Sequence, residues 1–257
     1  MLGIIGGTGV YDPEIFEESR VERLKTPYGE VSEVYLGTVR GREVAFLPRH
    51  GRNHDIPPHR VNYRANIFAL KELGVERIIS TNSVGGISRS LKPGDMVIPV
   101  DFMDFTRGRP STFYDHEVVH IDVSTAYCPE VREALLAAAE KRTEDVFDGG
   151  VYACTEGPRF ETPSEIQMME AVGCDVVGMV GVPEVVLARE VEICYGSICT
   201  VTNMAAGISE GKLTATEVVE MVKRNQENLK EVVVEAIASI PEERGCDCKK
   251  ALQGARM

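Results

Sequence analysis

The chain reads as an α/β sandwich: one domain of three layers, with a mixed, largely parallel twisted sheet flanked by helices. Three observations predict it. Apolar runs of strand length alternate with segments of helical period along the sequence. Several of those runs break directly into polar, glycine-bearing segments. No Pro/Gly/Ser-rich linker, low-complexity tract, internal repeat or composition shift divides the 257 residues, of which 43% are hydrophobic and 26% charged. The expected organisation is a single domain over residues 1–240, followed by a polar C-terminal tail, 241–257, that carries Cys246-Asp247-Cys248.

The elements follow in order. Leu2 to Ile5 is an apolar run that breaks into Gly6-Gly7-Thr8-Gly9, as a buried strand feeding a tight loop does. Val34 to Leu36 and Val44 to Leu47 flank Gly41-Arg42 and read as a hairpin. From Asn62 to Leu73 a broad apolar face at helical spacing is closed by Gly74. Arg77 to Thr81 restarts as a strand and ends in a turn bearing Gly85-Gly86. Met96 to Val100, Val176 to Met179 and Tyr195 to Val201 are further core strands. Helices fit Val131–Lys141, Ser164–Val172, Glu184–Val191 and Thr216–Ile240, the last amphipathic and stopped by Pro241.

A net charge of -12 argues against a nucleic-acid polymer as partner, because such binding rests on Lys and Arg neutralising phosphates. A small anion needs only a local pocket, and Arg49, His50, Arg52 and His54 cluster around Gly51. No apolar stretch approaches the roughly 18 residues that span a bilayer, and the N-terminus enters a strand without a basic signal region, so a cytoplasmic protein is expected. Cys128, Cys154, Cys174, Cys194 and Cys199 match no zinc spacing, and metal binding is not expected. Cys246 and Cys248, one residue apart on a polar tail, suit redox chemistry or a strained disulfide better than a core.

The polar segments at strand ends carry the chemistry. Gly6-Gly7-Thr8-Gly9 lacks the Lys-Ser/Thr of a P-loop, and Asp12-Pro13 interrupts the helix start of a dinucleotide turn; it offers the Thr8 hydroxyl among backbone N–H donors, or is a plain turn. The planar fork of Arg49 can grip phosphate, and His50 or His54 can donate to an oxyanion or a sugar hydroxyl. Asn82 and Ser83 add small donors, unless Ser83 only caps a helix. Glu161 can accept from the N1–H of hypoxanthine or guanine, which neutral adenine lacks. The Asn203 amide can donate to N7 or O6 as the base leaves as an anion. Phe160 stacks on a ring or fills core.

These segments resemble the trimeric-type purine nucleoside phosphorylases and their methylthioadenosine phosphorylase branch, from Gly3 to about Ile240. The match rests on Arg49-His50-Gly51-Arg52, Val61-Asn62-Tyr63-Arg64-Ala65-Asn66, Glu156-Gly157-Pro158-Arg159-Phe160 and Val182-Pro183-Glu184-Val185-Val186-Leu187-Ala188. The resemblance implies the α/β phosphorylase fold, no metal or cofactor, inorganic phosphate as co-substrate, and a homotrimer or homohexamer. It places Thr8, Arg49, His50, Asn82 and Ser83 on phosphate, Met179 beneath the ribose, and Asn203 on the base with Glu161, Phe160, Met204 and Ala205 beside it. His120 falls where the family sends a residue into the neighbouring subunit's 5′ pocket. Val180 departs from the family's Ser or Thr, leaving its backbone N–H to serve phosphate.

Substrate choice follows from the same positions. Asn203, Ala205 and Glu161 stand where methylthioadenosine enzymes carry two aspartates and a small residue, which speaks for a 6-oxopurine. Ala215, with Val218 and Val219 alongside, stands where inosine- and guanosine-cleaving enzymes often place a histidine, and an apolar pocket favours a methylthio group over a ribose hydroxyl. The expected activity is phosphate-dependent cleavage of S-methyl-5′-thioinosine, with inosine or guanosine, then methylthioadenosine, as alternatives. A dinucleotide-binding module and a protein without activity are the rivals from other classes.

Overall fold

In a computed structural model, which describes residues 1–6, 15–209 and 214–257, the N-terminal apolar run is strand β1 (Leu2–Gly6). β2 (Ser19–Thr26), β3 (Gly29–Val39) and β4 (Arg42–Pro48) follow as antiparallel neighbours. The hairpin turn between β3 and β4 places Arg40 (φ 52°) and Gly41 (φ 73°) both at positive φ, as a two-residue turn matched to the strand twist requires. Helix α1 (Tyr63–Glu72) is capped by the Asn62 side chain, which accepts from Ala65 N, and ends at Gly74 (φ 79°). The remaining elements are β5 (Arg77–Gly86), β6 (Met96–Ile98), β7 (Asp101–Phe105), α2 (Pro129–Glu140), β8 (Val146–Asp148), β9 (Val151–Thr155), α3 (Pro163–Ala171), β10 (Val176–Gly178), α4 (Gly181–Glu190), β11 (Cys194–Met204) and α5 (Ala215–Ser239).

One mixed sheet holds all the strands of the described residues. β1 lies between β4 and β5, parallel to both, and β11 runs parallel to β5 along its whole length. The far end of β5 also meets β10 antiparallel; β10 continues through β9 to β7, and β11 through β6 to β8. Adjacent residues of the central strands face opposite layers. Ile5 and Ile78 join the apolar cluster under α1 and α4, whereas Ile4 and Ile79 join the cluster under α2 and α5. A smaller cluster packs Ile166 and Met169 of α3 against Ala153, Val177 and Ala205.

Three expectations change. β5 does not stop at Thr81 but continues through Gly85-Gly86, because glycine there lets β5 approach β11: a Cβ on Gly86 would sit 3.0 Å from Met204 Sδ. Ser83 is accordingly a strand residue and caps no helix. β2, β7, β8 and β9 are additional strands, short or half-exposed, which leave weak apolar patterns. The tail does not stand away from the body. Cys246, Cys248, Ala251 and Ala255 are buried while Asp247, Lys249 and Lys250 face solvent. A bridge between Val119 and Arg256 fastens the last residues. Small apolar residues spaced among charges form a packing face that composition alone reads as polar. Among the described residues no helix is long and apolar enough to cross a membrane.

Candidate active site

A cavity of about 640 Å³ opens at the C-terminal ends of β4, β5, β10 and β11, where open α/β sheets place their ligands. It gathers Arg49 and His50 after β4, Asn82 and Ser83 from β5, Phe160 and Glu161, Met179 and Val180 after β10, and Asn203 and Ala205 at the end of β11. His54 stands at its rim, and Ala215, Val218 and Val219 enter from α5 together with Val222. Residues far apart in sequence therefore converge as the strand-end segments predict. Thr8 lies outside the described residues. Met204 and His120 do not line the cavity. Met204 turns its sulfur onto Gly86, and His120 lines a separate hollow with Asp122, Arg189 and Lys250, its N–H donating to Ala255 O at 2.8 Å.

Arg49 is almost wholly buried (1% exposed) and already paired. Its Nε and Nη2 donate to the two oxygens of Glu184, which is 0% exposed, Nη2 also to Ser80 Oγ at 2.7 Å, and Nη1 to Thr81 O at 3.0 Å. Glu184 in turn accepts from Tyr195 Oη at 2.9 Å. Arg49 is the only Arg or Lys among the described lining residues, so its charge reaches the cavity largely cancelled by Glu184. Burial and the neighbouring Arg49 push the pKa of His50 down to about 4. The neutral ring donates Nδ1–H to Ile56 O at 2.8 Å, which leaves Nε2 as an acceptor. His50 is thus set to accept a hydrogen bond at Nε2 while resisting protonation, whereas the sequence reading had it donate. His54, its ring 4.5 Å from that of His50, is lowered in the same direction by burial and Arg49.

Two further donors are placed differently from expectation. The Asn82 amide donates to Ser197 Oγ at 2.6 Å, and its buried Oδ1 has no partner. The Val180 N–H, expected to serve phosphate, points to Tyr152 Oη at 3.4 Å, and the Gly181 N–H does so at 3.3 Å. The start of α4 is satisfied from within the protein, because Tyr152 passes directly beneath Gly178 and Gly181, where a Cβ would collide with its ring. Ser83 is exposed to the cavity.

The residues that the sequence assigns to the base are held firmly. Glu161 is buried, and its Oε1 accepts from Thr155 Oγ1 at 2.6 Å. β11 bulges between Val201 and Asn203, a device that re-aims a side chain at the end of a strand. Asn203 Oδ1 accepts from Thr202 Oγ1 at 2.9 Å, and Nδ2 donates to Met204 O at 2.9 Å while keeping a second N–H. Phe160 is 39% exposed and is no core residue. Arg109 binds the carbonyls of Thr155, Glu156 and Val182, fastening the Phe160 segment to α4. Sequence reasoning missed Arg109, which left no signal, and gave Glu184 no role although an acid inside the apolar run Val182–Leu187 marks a buried pair.

On α5, Ala215, Val218, Val219 and Val222 fall at helical spacing on one stripe facing the cavity. The Thr214 side chain caps this helix through Glu217 N, so its first turn is fixed.

Residues 1–238 match the model of the Phosphorylase superfamily. A probable S-methyl-5′-thioinosine phosphorylase of Methanothermobacter thermautotrophicus is 55% identical over 99% of this chain and 90% of its own. The 6-oxopurine nucleoside phosphorylase of Pyrococcus furiosus is 52% identical over 99% of this chain and 98% of its own. A crystal structure of a methylthioadenosine phosphorylase from an Antarctic soil metagenomic library superimposes with a TM-score of 0.93 at 36% identity, covering 100% of this chain and 92% of its own. With a cavity at the strand ends and likeness of this extent over nearly the whole length, the chain belongs to the phosphorylase superfamily.

Proposed function

We propose that the chain is a purine nucleoside phosphorylase that cleaves 6-oxopurine nucleosides with inorganic phosphate, S-methyl-5′-thioinosine before inosine or guanosine. The observation that carries the reading is one cavity holding a buried carboxylate, Glu161, the amide of Asn203 and an apolar stripe from Ala215 to Val222. Glu161 accepts the N1–H of a 6-oxopurine, and the second N–H of Asn203 stabilises charge on the departing base. A phosphate oxygen attacks C1′ as the bond from C1′ to the base nitrogen breaks, giving a sugar 1-phosphate and the free base. Phosphate is bound by Arg49, Ser83 and the Thr8 segment. Neutral His50 accepts a hydrogen bond from a protonated phosphate oxygen or a sugar hydroxyl.

The stripe on α5 offers no polar side chain to a 5′-hydroxyl, which supports the methylthio substrate. Relatives named for 6-oxopurine nucleosides support the second reading, inosine and guanosine. Proposed with the activity are a cytoplasmic homotrimer or homohexamer, His120 reaching the neighbouring subunit's cavity, and neither a cofactor nor a nucleic-acid partner. The test is a kinetic comparison of methylthioinosine, inosine, guanosine and methylthioadenosine with and without phosphate. Phosphate-dependent release of hypoxanthine with the highest kcat/KM for methylthioinosine is expected; release without phosphate, or a preference for methylthioadenosine, overturns the reading.

A further inference from the structure

We propose that Cys128, Cys194, Cys246 and Cys248 form a tetrathiolate site for a divalent metal ion of the zinc class. Spacing in the sequence hides it, because the ligands come from the start of α2, the start of β11 and the C-terminal tail. The structure brings all four Sγ atoms within 4.8 Å of one another. Cys246 Sγ lies 3.7 Å from Cys128 Sγ and 3.4 Å from Cys194 Sγ. A tetrahedron with metal–sulfur bonds of about 2.3 Å has edges of roughly 3.8 Å, so an ion fits between the sulfurs with shifts of an ångström or less.

The surroundings suit a closed, structural ion. All four cysteines are buried in the apolar cluster that holds Val131, Leu135, Ile237 and Ile240, leaving no open position for water or substrate. Main-chain hydrogen bonds fix two of them: Cys128 N–H donates to Tyr195 O at 2.8 Å, and Cys194 N–H to Glu76 O at 3.0 Å. Cys128 stands at the N-cap of α2, a twelve-residue helix whose free N–H groups favour a thiolate. Binding removes four thiol protons and leaves a complex of charge −2. Arg77, the sheet partner of Cys194, is buried; its Nη2 lies 3.4 Å from Glu130 Oε2 and its Nε has no partner, so its charge is only partly committed. The site lies at the opposite end of β11 from the cavity, roughly 25–30 Å away at about 3.3 Å per residue. Its work is to clip the tail onto the sheet.

The experiment is metal analysis of the full chain purified with reductant from zinc-supplied cells. About one zinc per chain is expected, retained through gel filtration and released by a mercurial in step with thiol titration. Cobalt substitution should give thiolate charge-transfer and tetrahedral d–d bands. Cys248→Ser should lose both bands and zinc, whereas Cys174→Ser should keep them. Should Cys248→Ser fail to fold, the wild-type zinc and thiol counts decide alone. Protein without metal overturns the proposal, whether its four thiols are free or its mass is lower by two hydrogens for each bond between them.

Discussion

The two walls of the cavity are built on opposite terms. The strand-end wall is packed and committed: Arg49 and Glu184 are 1% and 0% exposed, and their polar atoms are bonded to each other, to Ser80 and to Tyr195. The helix wall is open: Ala215 and Val219 are exposed, the latter at 42%, Val218 is half-buried, and only Val222 of the stripe is buried. Groups that stabilise developing charge gain from being fixed before substrate arrives, whereas groups that select a substituent need only shape and polarity. The first wall should therefore resist change and govern rate, and the second should tolerate change and govern choice.

The sharpest way to break this contrast is at Glu184. Glu184→Ala leaves the Arg49 charge buried without its partner, and an unfolding free energy lower by about 3–5 kcal/mol is expected in chemical denaturation. A loss below about 1 kcal/mol, the size of a surface pair, would show that the wall is not preorganised by this pair. Asn203→Asp comes next. It replaces the amide donor by a carboxylate and should lower kcat/KM for 6-oxopurines by roughly 10–1000-fold while favouring 6-aminopurines. Equal activity on both bases would remove Asn203 from its role.

On the open wall, Ala215→His should leave stability within about 0.5 kcal/mol and shift the ratio of kcat/KM toward inosine over methylthioinosine by about tenfold. An unchanged ratio would place the 5′ group elsewhere. The last test is the pH dependence of stability. His50 is held at about 4, below its ordinary 6.5, so between these values the unfolded chain binds a proton that the folded chain does not. Stability should fall as pH drops from 6.5 toward 4, with His54 adding in the same direction. His50→Asn should flatten that slope; an unaltered slope would show that the ring titrates normally.

Much of this was legible before any coordinates. Alternating apolar runs located the central strands and the helices, and polar segments at their ends located the cavity, because both follow from local periodicity. What stayed hidden is tertiary. Nothing local tells that Glu184 claims the fork of Arg49, that Ile56 O takes the proton-bearing nitrogen of His50, or that Tyr152 occupies the N–H of Val180. Gly85-Gly86 looks like a turn because glycine marks turns and close strand contacts alike. Cys246 and Cys248 looked solvated because their neighbours in sequence are charged, while their neighbours in space are Cys128 and Cys194.

The outermost strands carry a last consequence. Among the described residues β2 ends one flank of the sheet and bears Arg20, Glu22, Arg23 and Lys25; β7 ends another and bears Asp101 and Asp104. Charges on an unpaired flank repel an incoming strand and make fibril-like growth unfavourable. Copies of this protein that associate are thereby steered away from extending one another's sheets and toward contacts through side chains and loops.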